Sequence, residues 1–219
     1  MKKIFLAIIF IIALTISVSA QYKPFQFGLK IEPGVSLTKL NSEHLSDNKT
    51  KPSFTWGFVG NFYFVENYGV STGFNVKFMS NQYTFENESP NIPNDNLITR
   101  TIKNKYLEIP ICLTMRTEKI GKLRIKSDIG YGLGISLDTK EKNHNSKNEE
   151  ISMITASSYN QIRHALIVKL GVDYHIYKAS YLTTSLVFNN NFTNIYKKND
   201  VLKHNVLLNN LCLEIGFMF

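Results

Sequence analysis

From residue 25 to the C-terminal Phe219 the chain switches between apolar and polar side chains every second residue, in eight separate segments. A period of two is the mark of strands whose two faces meet different surroundings. The apolar face falls on odd numbers over 25–37, on even numbers over 54–64 and 70–78, and on odd numbers over 107–115 and 123–137. It returns on even numbers over 162–174 and 182–192 and on odd numbers over 207–219. The links between these segments also alternate. Long polar stretches occupy 41–52, 81–104, 138–160 and 193–204, and short ones occupy 66–69, 117–122 and 175–180. An even strand count, with long loops at one end and tight turns at the other, predicts an all-β, eight-stranded antiparallel up-and-down transmembrane barrel. A soluble sandwich gives no reason to sort loops by parity.

Volume decides which face points inward. The apolar faces carry bulky rings, with Phe54, Trp56, Phe58, Phe62 and Phe64 in one segment alone, whereas Tyr63 and Tyr106 are the aromatics of the polar faces. The polar faces are rich in glycine, including Gly28, Gly57, Gly130, Gly132, Gly134 and Gly171. An eight-stranded barrel is barely wide enough for its own side chains, so the bulky face must look out. Charge agrees. The apolar faces hold no Asp, Glu, Lys or Arg. The polar faces hold Lys30, Glu32, Lys77, Glu108, Arg116, Arg124, Lys126, Asp128, Arg163, Lys169, Asp173 and Glu214, which are expected to line the lumen. A cation on the lipid face costs roughly 2–4 kcal/mol at mid-membrane, while in the lumen it can pair. Ion pairs and water are therefore expected to fill the shaft rather than leave a pore. The same phase assignment predicts that Val168→Arg blocks assembly and that Ile167→Arg is better tolerated.

The N-terminus reads as a leader. Lys2 and Lys3 precede an apolar core over 4–14, and Val18-Ser19-Ala20 supplies the small residues at which a signal peptide is cut. Residues 1–20 are expected to be removed after Ala20, leaving the barrel domain 21–219 in the outer membrane. Beyond this leader no apolar run approaches the ~18 residues of a membrane-spanning helix.

The last segment places Leu211, Leu213, Ile215, Phe217 and Phe219 on one face. It must pair with the first strand to leave no edge in lipid, and an amphipathic strand ending in phenylalanine resembles the signal read by barrel-assembly machinery. The hairpin pattern, the leader and the stretch Tyr106-Leu107-Glu108-Ile109-Pro110-Ile111 together resemble the small outer-membrane β-barrel family of Bacteroidetes often called PorT-like. The glycine-spaced Gly130-Tyr131-Gly132-Leu133-Gly134 is a weaker match. The family's namesake is implicated in secretion, which the resemblance extends to this chain only as a link to secretion or envelope function.

No catalytic, cofactor or metal site is predicted. The three glycines at 130, 132 and 134 lack the G-x-G-x-x-G order and the strand-to-helix turn of a nucleotide site, and making room beside Arg124 and Lys126 is the expected role. His164, with Ser157 and Ser158 upstream, has no orienting third group in the sequence, while His44, His144 and His204 lie in different long loops and His175 in a turn. Cys112 and Cys212 are expected on opposite walls, beyond the ~7 Å that a disulfide allows between Cα atoms. The net charge of +8 is spread along the chain, which argues against nucleic acid. A structural or interaction barrel acting through its extracellular loops, with a protein or glycan partner there, is the favoured function. A narrow small-solute channel is the alternative; a lipid-modifying enzyme and a soluble ligand-binding barrel rank below it.

Overall fold

The computed structural model describes residues 24–40, 45–86, 97–145, 149–151, 159–177, 180–197 and 206–219. The expected leader 1–20 lies outside them, as do Ser157, Ser158, His44 and His204. Eight long strands carry the fold: β1 (Phe25–Leu40), β2 (Lys51–Val65), β3 (Tyr68–Glu86), β4 (Leu97–Arg116), β5 (Leu123–His144), β6 (Ile162–Tyr177), β7 (Ser180–Asn191) and β8 (Val206–Met218). Each pairs antiparallel with its sequence neighbours. Strands β1 and β8 close the ring, from Gly28 opposite Met218 to Leu40 opposite Val206. Two short strands, Leu45–Lys49 and Glu150–Ile151, pair with the far ends of β3 and β5.

The facing follows the alternation. Phe27, Leu29, Phe58, Phe62, Ile111, Ile129, Leu170 and Leu186 stand exposed on the outside, whereas all twelve charged residues of the polar faces are buried. Leu213, Ile215, Phe217 and Phe219 are exposed, and half-buried Leu211 shares their face. Rings brace one another across outer strands, with Phe58 and Phe74 at 4.9 Å between centroids and Phe27 and Phe219 at 5.3 Å.

Several sequence expectations need correction. The stretches 81–104 and 138–160 are not simply loops, because β3 continues to Glu86, β4 begins at Leu97 and β5 runs to His144. His175 belongs to β6 and pairs with Tyr181 rather than sitting in a turn. The glycines also act differently. A Cβ at Gly130 would stand 2.2 Å from the carbonyl oxygen of Ile111, so glycine there permits close backbone approach. Gly132 and Gly134 make room for the Glu108 carboxyl and the Arg163 stem, not for Arg124 and Lys126.

Ile167 faces inward as expected, but it is buried with Cys112, Val187 and Cys212 in an apolar layer inside the barrel, so an arginine there has to displace close-packed neighbours. Val168, its outward neighbour, is exposed. Val168→Arg is expected to destabilise the barrel by roughly 2–4 kcal/mol, while Val168→Leu is close to neutral. Urea titration of barrel refolded into vesicles, read by heat-modifiable gel migration, measures both. Equal stability of the two variants would refute the outward assignment.

Candidate functional site

The lumen is built where inward residues of neighbouring strands come level. Glu32 and Lys30 on β1, Glu214 on β8, Lys169 on β6, and Asp128 and Lys126 on β5 form one chain of alternating sign. The separations are 2.6 Å (Lys30–Glu32), 3.1 Å (Lys30–Glu214), 2.7 Å (Lys169–Glu214), 4.0 Å (Lys169–Asp128) and 3.6 Å (Lys126–Asp128). A second group joins Lys77 of β3 to Glu108 of β4 at 2.7 Å, with Arg163 of β6 at 3.7 Å from the same carboxylate. Asn75 donates to Glu108 at 3.3 Å. Register produces this second group, since Glu108 lies opposite Gly134 and Gly134 opposite Arg163.

Arg116, Arg124 and Asp173 stand apart from both groups, toward the short turns. The Arg116 guanidinium lies 3.6 Å from the Tyr63 ring centroid and donates to the Glu66 carbonyl at 2.8 Å. Arg124 meets the Glu66 carboxylate at 3.4 Å, and Thr183 donates to Asp173 at 2.6 Å. Cys112 and Cys212 are buried free thiols.

Chemically, this interior holds fixed charges of both signs paired with one another, and buried pairs of this kind keep their charge only by staying together.

The opposite mouth holds what the sequence reading missed. Met79 and Tyr83 of β3, Ile98, Ile102 and Tyr106 of β4, and Val206 and Leu208 of β8 point inward and bury one another, and Ile195 and Tyr196 fold in between them from the β7–β8 connection. Arg100, 1% exposed, is threaded through this cap. Its Nε lies 2.9 Å from both Asn143 Oδ1 and Glu141 Oε1, and a terminal nitrogen donates to the Tyr196 hydroxyl at 3.5 Å. The Tyr83 and Tyr196 hydroxyls share a hydrogen bond, and Tyr159 donates to Glu141. Burial, then the neighbouring Glu141 carboxylate, pushes the Tyr159 phenol above its ordinary range; burial does the same for Tyr196. Both phenols stay neutral at physiological pH.

Backbone bonds hold the inserted segment: Ile195 N to Val206 O at 3.0 Å and Asn160 N to Ile195 O at 2.8 Å. Asn160 Nδ2 adds bonds to the carbonyls of Asn194 and Tyr196 at 2.8 and 3.0 Å.

His164 is on the outer face and bonds the Tyr131 hydroxyl, with the rings stacked at 5.9 Å. Among the described residues no group of three or more His, Cys, Asp or Glu is placed to hold a metal.

A family model described as an outer membrane protein beta-barrel domain matches residues 19–197. No curated protein matches the chain. Among solved structures, the outer membrane protein OprG from Pseudomonas aeruginosa is similar at 10% identity over 89% of this chain and 95% of that one, with a TM-score of 0.49. The attachment invasion locus protein Ail of Yersinia pestis matches at 14% identity over 90% of this chain and 100% of that one, with a TM-score of 0.40. The outer membrane protease OmpT from Escherichia coli matches at 9% identity over 94% of this chain and 99% of that one, with a TM-score of 0.45.

Proposed function

We propose, from the premise that this chain belongs to the outer membrane protein beta-barrel domain family, that it is a closed barrel acting as a structural or interaction protein through its long extracellular loops. The observation that carries this reading is the double filling of its interior. Paired charges occupy the membrane-level lumen, and an apolar cap built around Ile195 and Tyr196 occupies the mouth. A wall of this kind suits a scaffold that displays loops, and loops on a rigid scaffold are where binding residues concentrate. The partner is a protein or glycan at the cell surface, not nucleic acid.

The related proposals concern export and kinship. The leader 1–20 is removed after Ala20, and assembly machinery reads the outward face Leu211, Leu213, Ile215, Phe217 and Phe219. Within the wider family, the Tyr106–Ile111 motif supports kinship with the PorT-like barrels of Bacteroidetes and a link to secretion or the envelope.

Planar-bilayer recording of the purified mature protein tests the closed-barrel reading. The expected result is no steady conductance, and a reproducible open level would replace the reading with a solute channel.

A further inference from the structure

On the outer wall, where the apolar belt gives way to polar strand, an open groove of about 470 Å³ lies across β2 to β5. Phe54 and Phe78, each 41% exposed, form its apolar side. Its polar side carries Lys103 and Lys105 of β4 with Lys140 and Asp138 of β5.

Two features of this arrangement are unusual for a strand pair. Lys103 and Lys140 stand directly opposite each other in the ladder, a placement that is destabilising when nothing neutralises it. Asp138 lies 3.6 Å from Lys140, but no carboxylate of the described residues lies within 4.0 Å of Lys103. By contrast Lys142, next along the same face, is paired with Glu150 at 3.2 Å. Lys105 leans over the Phe78 ring at 5.5 Å, with its charge at the rim of the groove. The groove therefore sets three lysines, Lys103, Lys105 and Lys140, against the single carboxylate of Asp138, a net charge of about +2 beside exposed rings.

We infer that this groove binds the phosphate of a membrane lipid, the headgroup anion seated between Lys103 and Lys140 and the acyl chains running down over Phe54 and Phe78. A lipid fits better than a soluble anion because the apolar side is continuous with the belt that acyl chains already cover. It also fits better than a protein, because Phe54 and Phe78, the last rings of the apolar belt, form one side of the groove while its lysines stand just past that belt.

Native mass spectrometry of the folded, detergent-solubilised barrel tests the assignment with two probes of identical chains, dioleoylphosphatidic acid and dioleoylphosphatidylcholine. A lysine near a membrane surface contributes about a factor of five in binding, so two predict a preference for phosphatidic acid of roughly ten-fold or more. Lys103→Gln with Lys140→Gln is expected to abolish that preference. Lys119→Gln with Lys122→Gln, the same charge removed from the exposed short-turn end, is expected to keep it. Inorganic phosphate, lacking chains, is expected to leave the bound lipid in place; displacement by it at equal concentration would overturn the lipid assignment in favour of a free-anion site. Equal loss in both lysine pairs would reduce the groove to bulk surface charge and overturn it too. Should the Lys103/Lys140 variant not fold, salt on the wild type decides. Phosphatidic acid should leave between about 50 and 500 mM salt while phosphatidylcholine stays, and retention of both would overturn the site.

Discussion

Glu214→Ala is expected to destabilise the folded barrel by roughly 3–5 kcal/mol, the cost of leaving buried charge without its counter-ion. Glu214 is 4% exposed and bridges Lys30 at 3.1 Å and Lys169 at 2.7 Å, so its loss leaves Lys30, Lys169 and Lys126 to share two carboxylates, Glu32 and Asp128. The layout of the network suggests the compensating change. Removing Lys169 together with Glu214 leaves two one-to-one pairs, Lys30 with Glu32 and Lys126 with Asp128. Glu214→Ala with Lys169→Met is therefore expected to be more stable than Glu214→Ala alone, even though it removes more polar contacts. Urea unfolding followed by the fluorescence of Trp56, the one tryptophan in the chain, measures both variants. A double variant as unstable as the single one, or less stable, would show that Lys169 contributes through something other than its charge.

The charged lumen could be read from the sequence because one rule holds along most of the membrane belt, rings outside with charge and glycine inside, broken only locally by Tyr63 and by the layer around Ile167. The cap could not, because past the belt the rule inverts. There the outer face meets water and the interior is the dry side, so Ile98 and Ile102 point in while Lys103 and Lys140 point out. The alternation itself continues without a break through Tyr83, Ile98 and Ile102, and that reversed polarity was the available signal. In β5 a second effect hid it. The register shifts at Lys105 and Tyr106, whose partners are Asp138 and Ser136, leaving Leu137 as an extra residue. That bulge turns Asp138 and Lys140 outward and Glu141 and Asn143 inward, so a strict period of two appears to end at Leu137. The insertion of Ile195 and Tyr196 had no periodic signature, since they belong to a connection rather than a strand.

Tyr196→Ala is expected to cost about 3–5 kcal/mol, as large-to-alanine changes in well-packed cores do. The ring is 1% exposed, packs 5.5 Å from the Tyr159 ring, and its hydroxyl bonds both Tyr83 and Arg100. Tyr196→Phe keeps the ring and removes only the hydroxyl, so it should cost nearer 1 kcal/mol. The gap between the two variants in urea midpoint separates packing from hydrogen bonding in the cap. Conductance separates the cap from the ion pairs beneath it. The two fillings lie in series along the barrel axis, and Tyr196→Ala leaves the pairs joining Glu32, Lys30, Glu214 and Lys169 in place. That variant is therefore expected to remain electrically silent in planar bilayers while amide exchange quickens at Ile195 and Val206, whose backbone bond at 3.0 Å anchors the inserted segment. A steady current from Tyr196→Ala would mean that ions pass between the paired charges, and that the cap alone seals the barrel.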